Sequence, residues 1–217
     1  MPPFFIRSRA KPLSGAPDLA WFGEDYRRKL GRRYGTFARA FELLLARTGR
    51  DRTIVETGCV REKNDYSAGY STVLFGELLT RGGGKLFTVD LSERNMALCK
   101  RFTKRFAPLI SYNVSDSVEY LRAWSRAPKP QTIDLLYLDS WDYPVSAEHG
   151  EPEPSQRHCL LEFEAALPAL SERGIVLIDD GDLPGGGKPK LAKARLAELG
   201  WACEIDDYQT LWTAPPA

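Results

Sequence analysis

Apolar residues change their spacing near residue 50 of this chain. Tyr34, Phe37, Phe41 and Leu44 recur at three and four residues, the period of one helix face, and predict a helix running to about Thr48. Short β-rich runs then appear at 53–57, 85–90, 109–113, 133–138 and 175–178, separated by stretches of helical patterning. Residues 190–199 read as a further helix, and 201–205 with 209–213 as two strands joined by Asp206-Asp207-Tyr208.

Parallel strands need crossover connections, and helices packed on both faces of the sheet are the usual solution. The expected fold is α/β: a doubly wound, mostly parallel, seven-stranded sheet with a C-terminal antiparallel hairpin. A chain of 217 residues, 43% hydrophobic, can bury one sizeable core, and no repeat or low-complexity linker divides it.

Charge narrows the partners. The formal net charge is +1, which gives no electrostatic reason to expect nucleic acid or a membrane surface. The basic run Arg27, Arg28, Lys29, Arg32, Arg33 reads as a solvated helix face. Cys59, Cys99, Cys159 and Cys203 lie far apart without Cys-x-x-Cys spacing and read as reduced thiols. With no apolar run near the roughly 20 residues that span a bilayer, the expectation is a cytosolic, cytoplasmic protein.

In such sheets ligands sit at the carboxyl ends of the strands. The first strand ends in Glu56-Thr57-Gly58, and Gly69-Tyr70-Ser71-Thr72 opens the next helix, so backbone can approach a ligand and free N–H groups can meet a carboxylate. The second strand ends in Asp90, whose carboxylate can accept both hydroxyls of a ribose. A nucleoside-like cofactor follows. A nicotinamide enzyme shares these features, but Gly58 has no glycine two residues later. A catalytically silent nucleotide-binding module remains a further alternative.

Glu-x-Gly, Gly-Tyr-Ser-Thr, Thr-Val-Asp, Leu-Asp and Ile-Asp-Asp at these strand ends and helix starts resemble class I, Rossmann-like methyltransferases that use S-adenosylmethionine. The likeness is closest to small-molecule O-methyltransferases of the catechol and macrocin types, which bind a divalent metal. It implies residues 51–217 as the S-adenosylmethionine-binding domain and 1–50 as a lead and helix covering the substrate side. Glu56 and Gly58 would then lie beside the methionine part, with Ser71 and Thr72 facing it from the helix start. Asp90 would hold the ribose, and Asp116 and Ser117 would flank adenine. Asp116 is equally a helix cap, with Glu119 completing a capping box.

By the same resemblance Asp139, in Leu138-Asp139-Ser140-Trp141, touches cofactor and metal, and Asp179-Asp180 completes a site for Mg²⁺, a hard cation that takes oxygen ligands. The alternative is that Asp139 bonds cofactor or substrate while Asp179 and Asp180 cap a loop. Where the catechol type has a lysine base after the tryptophan, this chain has Asp142, as a base or a further ligand. His158, four residues before Glu162 on one helix face, is a second catalytic candidate or a surface helix cap. Leu160, Phe163, Leu167 and Leu170 are expected as that helix's buried stripe. His149 reads as an ordinary loop residue.

Residues 59–68 lengthen the first glycine loop, as a lid carrying Arg61 and Tyr66 or as a surface loop. Phe4, Phe5, Trp21, Phe22, Tyr26 and Arg27 either pack the first helix or shape an acceptor pocket. The glycine run before Lys188 fails the phosphate-loop pattern, because Asp182 stands where the first glycine belongs and proline follows the lysine. Lys188 is left free to neutralise local acids. The expected reaction is methyl transfer to a hydroxyl of a small, sugar-like or natural-product acceptor. A homodimer stays open.

Overall fold

The computed structural model describes residues 19–67, 69–144 and 151–215. Phe4, Phe5 and His149 therefore lie outside the described residues.

Helices α1 (Ala20–Leu30) and α2 (Arg33–Arg47) precede β1 (Thr53–Thr57), α3 (Ser71–Gly82), β2 (Lys85–Asp90), α4 (Glu93–Phe102) and β3 (Ile110–Val114). Next come α5 (Ser117–Ser125), β4 (Ile133–Leu138), α6 (Pro152–Ala166), β5 (Leu170–Ile178), α7 (Lys190–Glu198), β6 (Ala202–Asp206) and β7 (Thr210–Thr213). The seven strands form one sheet in the order β3-β2-β1-β4-β5-β7-β6. The first five are parallel; β7 lies antiparallel to both β5 and β6. This is the expected doubly wound sheet, with one refinement. The last strand inserts between β5 and β6, so β6 forms the edge.

Strand side chains alternate between two faces. Ile54, Leu135, Tyr137 and Leu177 enter one core beneath α1 to α4; Val55, Leu136, Leu138 and Ile178 enter the other, beneath α5 to α7. Strand β1 pairs with β2 on one side and β4 on the other, so sheet growth reverses there. A reversal of this kind leaves a crevice at the carboxyl ends.

The N-terminal region departs from expectation. Gly31, at φ +52°, ends a separate helix α1 before α2 begins. Phe22 packs on Phe41 at 4.9 Å between ring centres, and Phe37 on Phe75 and Tyr137 at 5.9 and 5.7 Å. Removing such a ring costs about 3–5 kcal/mol, so both helices belong to the main core. The basic run is not wholly a solvated face either. Arg32 pairs at the surface with Asp182 and Asp207, but Arg33 is 1% exposed.

Candidate active site

The loop after β1 is built for close approach. Gly58 has φ +81°, and a Cβ there would come within 2.4 Å of the Asp139 carbonyl oxygen. Glycine thus lets the ends of β1 and β4 touch. Behind it Glu56 is fully buried; its Oε2 accepts from Thr72 Oγ1 at 2.8 Å, and Thr72 Oγ1 accepts from the Val60 amide at 3.0 Å. Burial pushes the Glu56 carboxyl up to about 7, partly offset by the hydroxyls around it. Neither Glu56 nor Thr72 lines the cleft: they hold the loop from behind, so Thr72, expected to face the ligand, and Glu56, expected beside its methionine part, stand one layer back from it.

The cleft itself has a volume of about 120 Å³, and six of the residues expected at the cofactor line it: Gly58, Ser71, Asp90, Asp116, Ser117 and Asp139. Asp90 Oδ1 accepts from the Ser92 amide at 2.8 Å, both its oxygens lie 3.3 Å from Asn95 Nδ2, and Cys59 Sγ donates to Oδ2 at 3.4 Å. All these donors are neutral, so lone pairs stay available for ligand hydroxyls. Asp116 Oδ1 caps α5 through the Glu119 amide at 2.9 Å. Sequence reasoning missed Asn95, which also lines the cleft. Its only signal is its place three residues after the Ser92 cap, where its own amide donates to Ser92 Oγ.

His158 lines the same cleft, with Nε2 3.0 Å from Ser117 Oγ and 3.4 Å from Glu162 Oε1. Burial disfavours the charged imidazole, but hydrogen bonding and charge from Glu162 outweigh it, and its pKa rises above the ordinary value. The ring packs on Trp141 at 5.1 Å. Glu162 is itself buried and accepts from Ser140 Oγ at 2.6 Å. The expected stripe on α6 therefore shifts: Cys159, Phe163 and Ala166 are buried, together with polar Gln156 and Glu162, while Leu160 and Leu167 are only partly covered and Leu170 already belongs to β5.

Asp142 does not fit the role of base. Both its oxygens accept from Arg61, at 3.1 and 3.0 Å, and this pairing lowers its pKa. The side chain is 78% exposed. The pair ties the long 59–68 segment across to the loop after β4, while Cys59 and Val60 at its base are buried.

Three carboxylates converge where β4 and β5 end. Lys188 Nζ lies 2.6 Å from Asp139 Oδ1 and 3.1 Å from Asp180 Oδ2. Arg33 Nη2 donates to Asp179 Oδ2 at 2.8 Å, and the Tyr137 hydroxyl donates to the same oxygen at 2.6 Å and lies 3.2 Å from Asp139 Oδ2. Asp179 Oδ1 accepts from the Asp180 amide at 3.1 Å, and Asp180 Oδ1 from the Tyr208 hydroxyl at 3.3 Å. Burial raises the Asp139 carboxyl to about 7, against the pull of the Lys188 ammonium. Lys188 is held in its charged form: burial works against it, but the carboxylates prevail.

Mg²⁺ takes open oxygens at about 2.0–2.1 Å in near-octahedral geometry. Here five of the six oxygens accept from a protein donor, and the sixth, Asp139 Oδ2, lies 3.2 Å from the Tyr137 hydroxyl. Among the described residues no group of three or more acids, histidines or cysteines is arranged to hold a metal. Asp139, Asp179 and Asp180 do come together as expected, but around cationic side chains rather than as a ligand set for Mg²⁺. The role left open for Lys188, neutralising local acids, is the one its geometry matches.

A second cleft, of about 220 Å³, opens beside the first. Tyr143, Asp180 and Tyr208 line it, and Asp139 and Arg61 line both clefts.

A sheet in this order, with a polar crevice at its reversal point, defines the class I, Rossmann-like methyltransferase fold. A family model described as a methyltransferase domain matches residues 66–181, more than half of the chain, and the chain belongs to that family of S-adenosylmethionine-dependent methyltransferases. The nicotinamide alternative gives way to it. Among solved structures the chain is similar to the MycE methyltransferase of the mycinamycin biosynthetic pathway, solved with Mg, SAH and mycinamycin VI: 16% identity, TM-score 0.60, 93% of this chain and 56% of that one. It is also similar to the O-methyltransferase TomG from Streptomyces achromogenes, involved in tomaymycin synthesis and solved with SAM: 16% identity, TM-score 0.52, covering 90% and 95%. A methyltransferase from Geobacter sulfurreducens is 12% identical at TM-score 0.53, covering 98% and 92%. The chain thus spans little more than half of MycE, and at these identities the likeness speaks for the fold. No curated protein matches it by sequence. Among the described residues no helix is long and apolar enough to cross a membrane.

Proposed function

We propose that this chain transfers a methyl group from S-adenosylmethionine to a hydroxyl oxygen of a small molecule. One observation carries the reading: the Asp139 carboxylate belongs to both clefts, at the junction where a donor in one would meet an acceptor in the other. The similarity to the O-methyltransferase TomG supports oxygen as the acceptor atom.

The first cleft fits the cofactor by its own chemistry. Asp90, held by neutral donors, would take the ribose hydroxyls. Ser117 and Asp116, at the start of α5, would meet the adenine edge, with Trp141 and His158 as its wall. Ser71 and the backbone beside Gly58 would meet the amino acid end, with Glu56 and Thr72 fixing the loop behind. His158, engaged by Ser117 and Glu162, has a binding role here rather than that of a base.

When bound, S-adenosylmethionine supplies an already activated methyl group. What remains for the chain is to align an oxygen at near-attack distance and take its proton. Asp139 is placed to accept that proton, and its raised pKa of about 7 suits a base working near neutrality. Tyr137 and Lys188 fix the carboxylate's orientation. Arg61 and Asp142 close the rim shared by the two clefts, and the N-terminal segment helps cover the acceptor side, with Arg33 reaching Asp179.

The test is a screen of hydroxylated small molecules, sugars and phenols among them, with deuterium-labelled S-adenosylmethionine and mass spectrometry of the products. The expected result is label on oxygen, with Asp139→Asn keeping cofactor affinity but losing about 10²–10⁴ in rate. Label on nitrogen or carbon, or undiminished turnover by Asp139→Asn, contradicts the reading. Cofactor binding without turnover across the panel points to the silent module.

A further inference from the structure

We propose that the Lys188 ammonium stands in for a divalent cation at the strand-end carboxylates, so that this chain positions Asp139 and Asp180 without a metal and its methyl transfer does not depend on one. The kinetic part of this inference rests on the methyl-transfer reading above; the metal-binding part does not.

The seat of Lys188 is built, not incidental. Its side chain is 2% exposed although it follows a run of three glycines in a surface loop. Gly187, at φ +64°, lets that loop fold back onto Asp180; a Cβ there would come within 2.1 Å of the Asp180 carbonyl oxygen. The Lys188 amide donates to the same carbonyl at 3.1 Å. From α6 the buried Gln156 side chain donates to the Gly187 carbonyl at 3.0 Å and lies 3.3 Å from the Gly185 carbonyl. Asp180 meets the loop in a left-handed conformation, φ +59°, which outside glycine aspartate adopts more readily than most residues.

Charge and geometry point the same way. Lys188 bridges Asp139 and Asp180, which follow β4 and β5 and line the second cleft together with Asp179. The third acid, Asp179, is 2% exposed and saturated by Arg33, Tyr137 and the Asp180 amide. A divalent ion entering among these oxygens would lie against a buried ammonium and, behind it, a buried guanidinium. It would have to expel Lys188 from a seat with no exposed side. Lys188 is therefore a positioning residue: it holds the Asp139 carboxylate at the junction of the clefts, where an ion would otherwise be needed to balance the acids.

Mn²⁺ is the probe. Free Mn²⁺ is followed by electron paramagnetic resonance during titration of the full chain saturated with S-adenosylhomocysteine. The native chain is expected to bind no Mn²⁺ into the millimolar range. Lys188→Ala should gain one site, with affinity raised about tenfold or more, whereas Lys188→Arg, which keeps the cation, should not. A native chain that takes up one equivalent of Mn²⁺ at micromolar concentration overturns the proposal, and that arm needs no variant to fold. So does a folded Lys188→Ala that binds Mn²⁺ no better than native. With any acceptor found in the screen, native turnover should be unchanged by EDTA; loss on chelation with recovery on adding Mg²⁺ overturns the proposal. Absence of turnover bears only on the function, and the Mn²⁺ titration still decides.

Discussion

Two groups of acids stand at the same end of the same sheet and are treated in opposite ways. At the end of β2, Asp90 meets neutral donors among the described residues, from Ser92, Asn95 and Cys59. At the ends of β4 and β5, Asp139, Asp179 and Asp180 are met by an ammonium, a guanidinium and two tyrosine hydroxyls. The first arrangement leaves a carboxylate ready for a ligand's hydroxyls. The second holds its carboxylates through shared cations and hydroxyls, and presents them to a cleft in a set orientation. An acid at a strand end is thus a ligand-binding group or part of a scaffold according to what faces it.

The contrast can be broken most forcefully at Lys188. Lys188→Ala strips a buried cation from two carboxylates and should lower unfolding free energy by about 3–5 kcal/mol. Asp90→Ala removes no charged partner and should change it by about 1 kcal/mol or less. Urea denaturation of both variants measures the difference; equal losses would mean that the two regions are not built differently.

A second effect comes from pH. Asp139 must be ionised to accept a proton, and its carboxyl is raised from the ordinary 3.8 to about 7. The logarithm of kcat/KM should therefore fall by about one unit for each pH unit below 7 and level off above it. The stability contribution has the opposite sign. Asp139 and Glu56 hold protons more tightly folded than unfolded, so what they contribute is fully present below pH 4 and is lost as pH rises through about 7. A rate profile that stays flat down to pH 5 would remove Asp139 as the base.

The smallest effect is expected at the rim. Asp142→Ala breaks an exposed pair with Arg61 and should cost about 1 kcal/mol or less in stability. Its rate should remain within a few fold of native, since both Asp142 oxygens are engaged by Arg61. A loss like that of Asp139→Asn would reverse this assignment.

The sheet was legible because β1 to β5 carry short apolar runs bounded by turns, and each predicted strand lies on an observed one. The first five residues of β5 were missed: Glu172 and Arg173 are exposed, and only Leu170 pairs with Ile133 in that stretch. Helix α1 was hidden because its basic last turn masks the buried set Phe22, Tyr26 and Leu30. On α6 the leucine spacing misled, since Gln156 and Glu162 are buried through hydrogen bonds that periodicity does not see. In the site, strand ends marked Asp90, Asp139, Asp179 and Asp180 directly. What they pair with did not show, because Arg33 and Lys188 stand 146 and 49 positions away from their partners Asp179 and Asp139. Spacing rules describe neighbours along one helix or strand, and these contacts are made only when the whole sheet is assembled.

The most direct test of the account is a calorimetric titration of S-adenosylmethionine into the native chain and into Asp90→Ala. The account predicts one binding site per chain, weakened at least tenfold in Asp90→Ala, whose fold is otherwise intact. Native binding that the Asp90 variant leaves unchanged, or no binding to the native chain at all, would contradict the placement of the cofactor in the cleft between β1, β2 and β4.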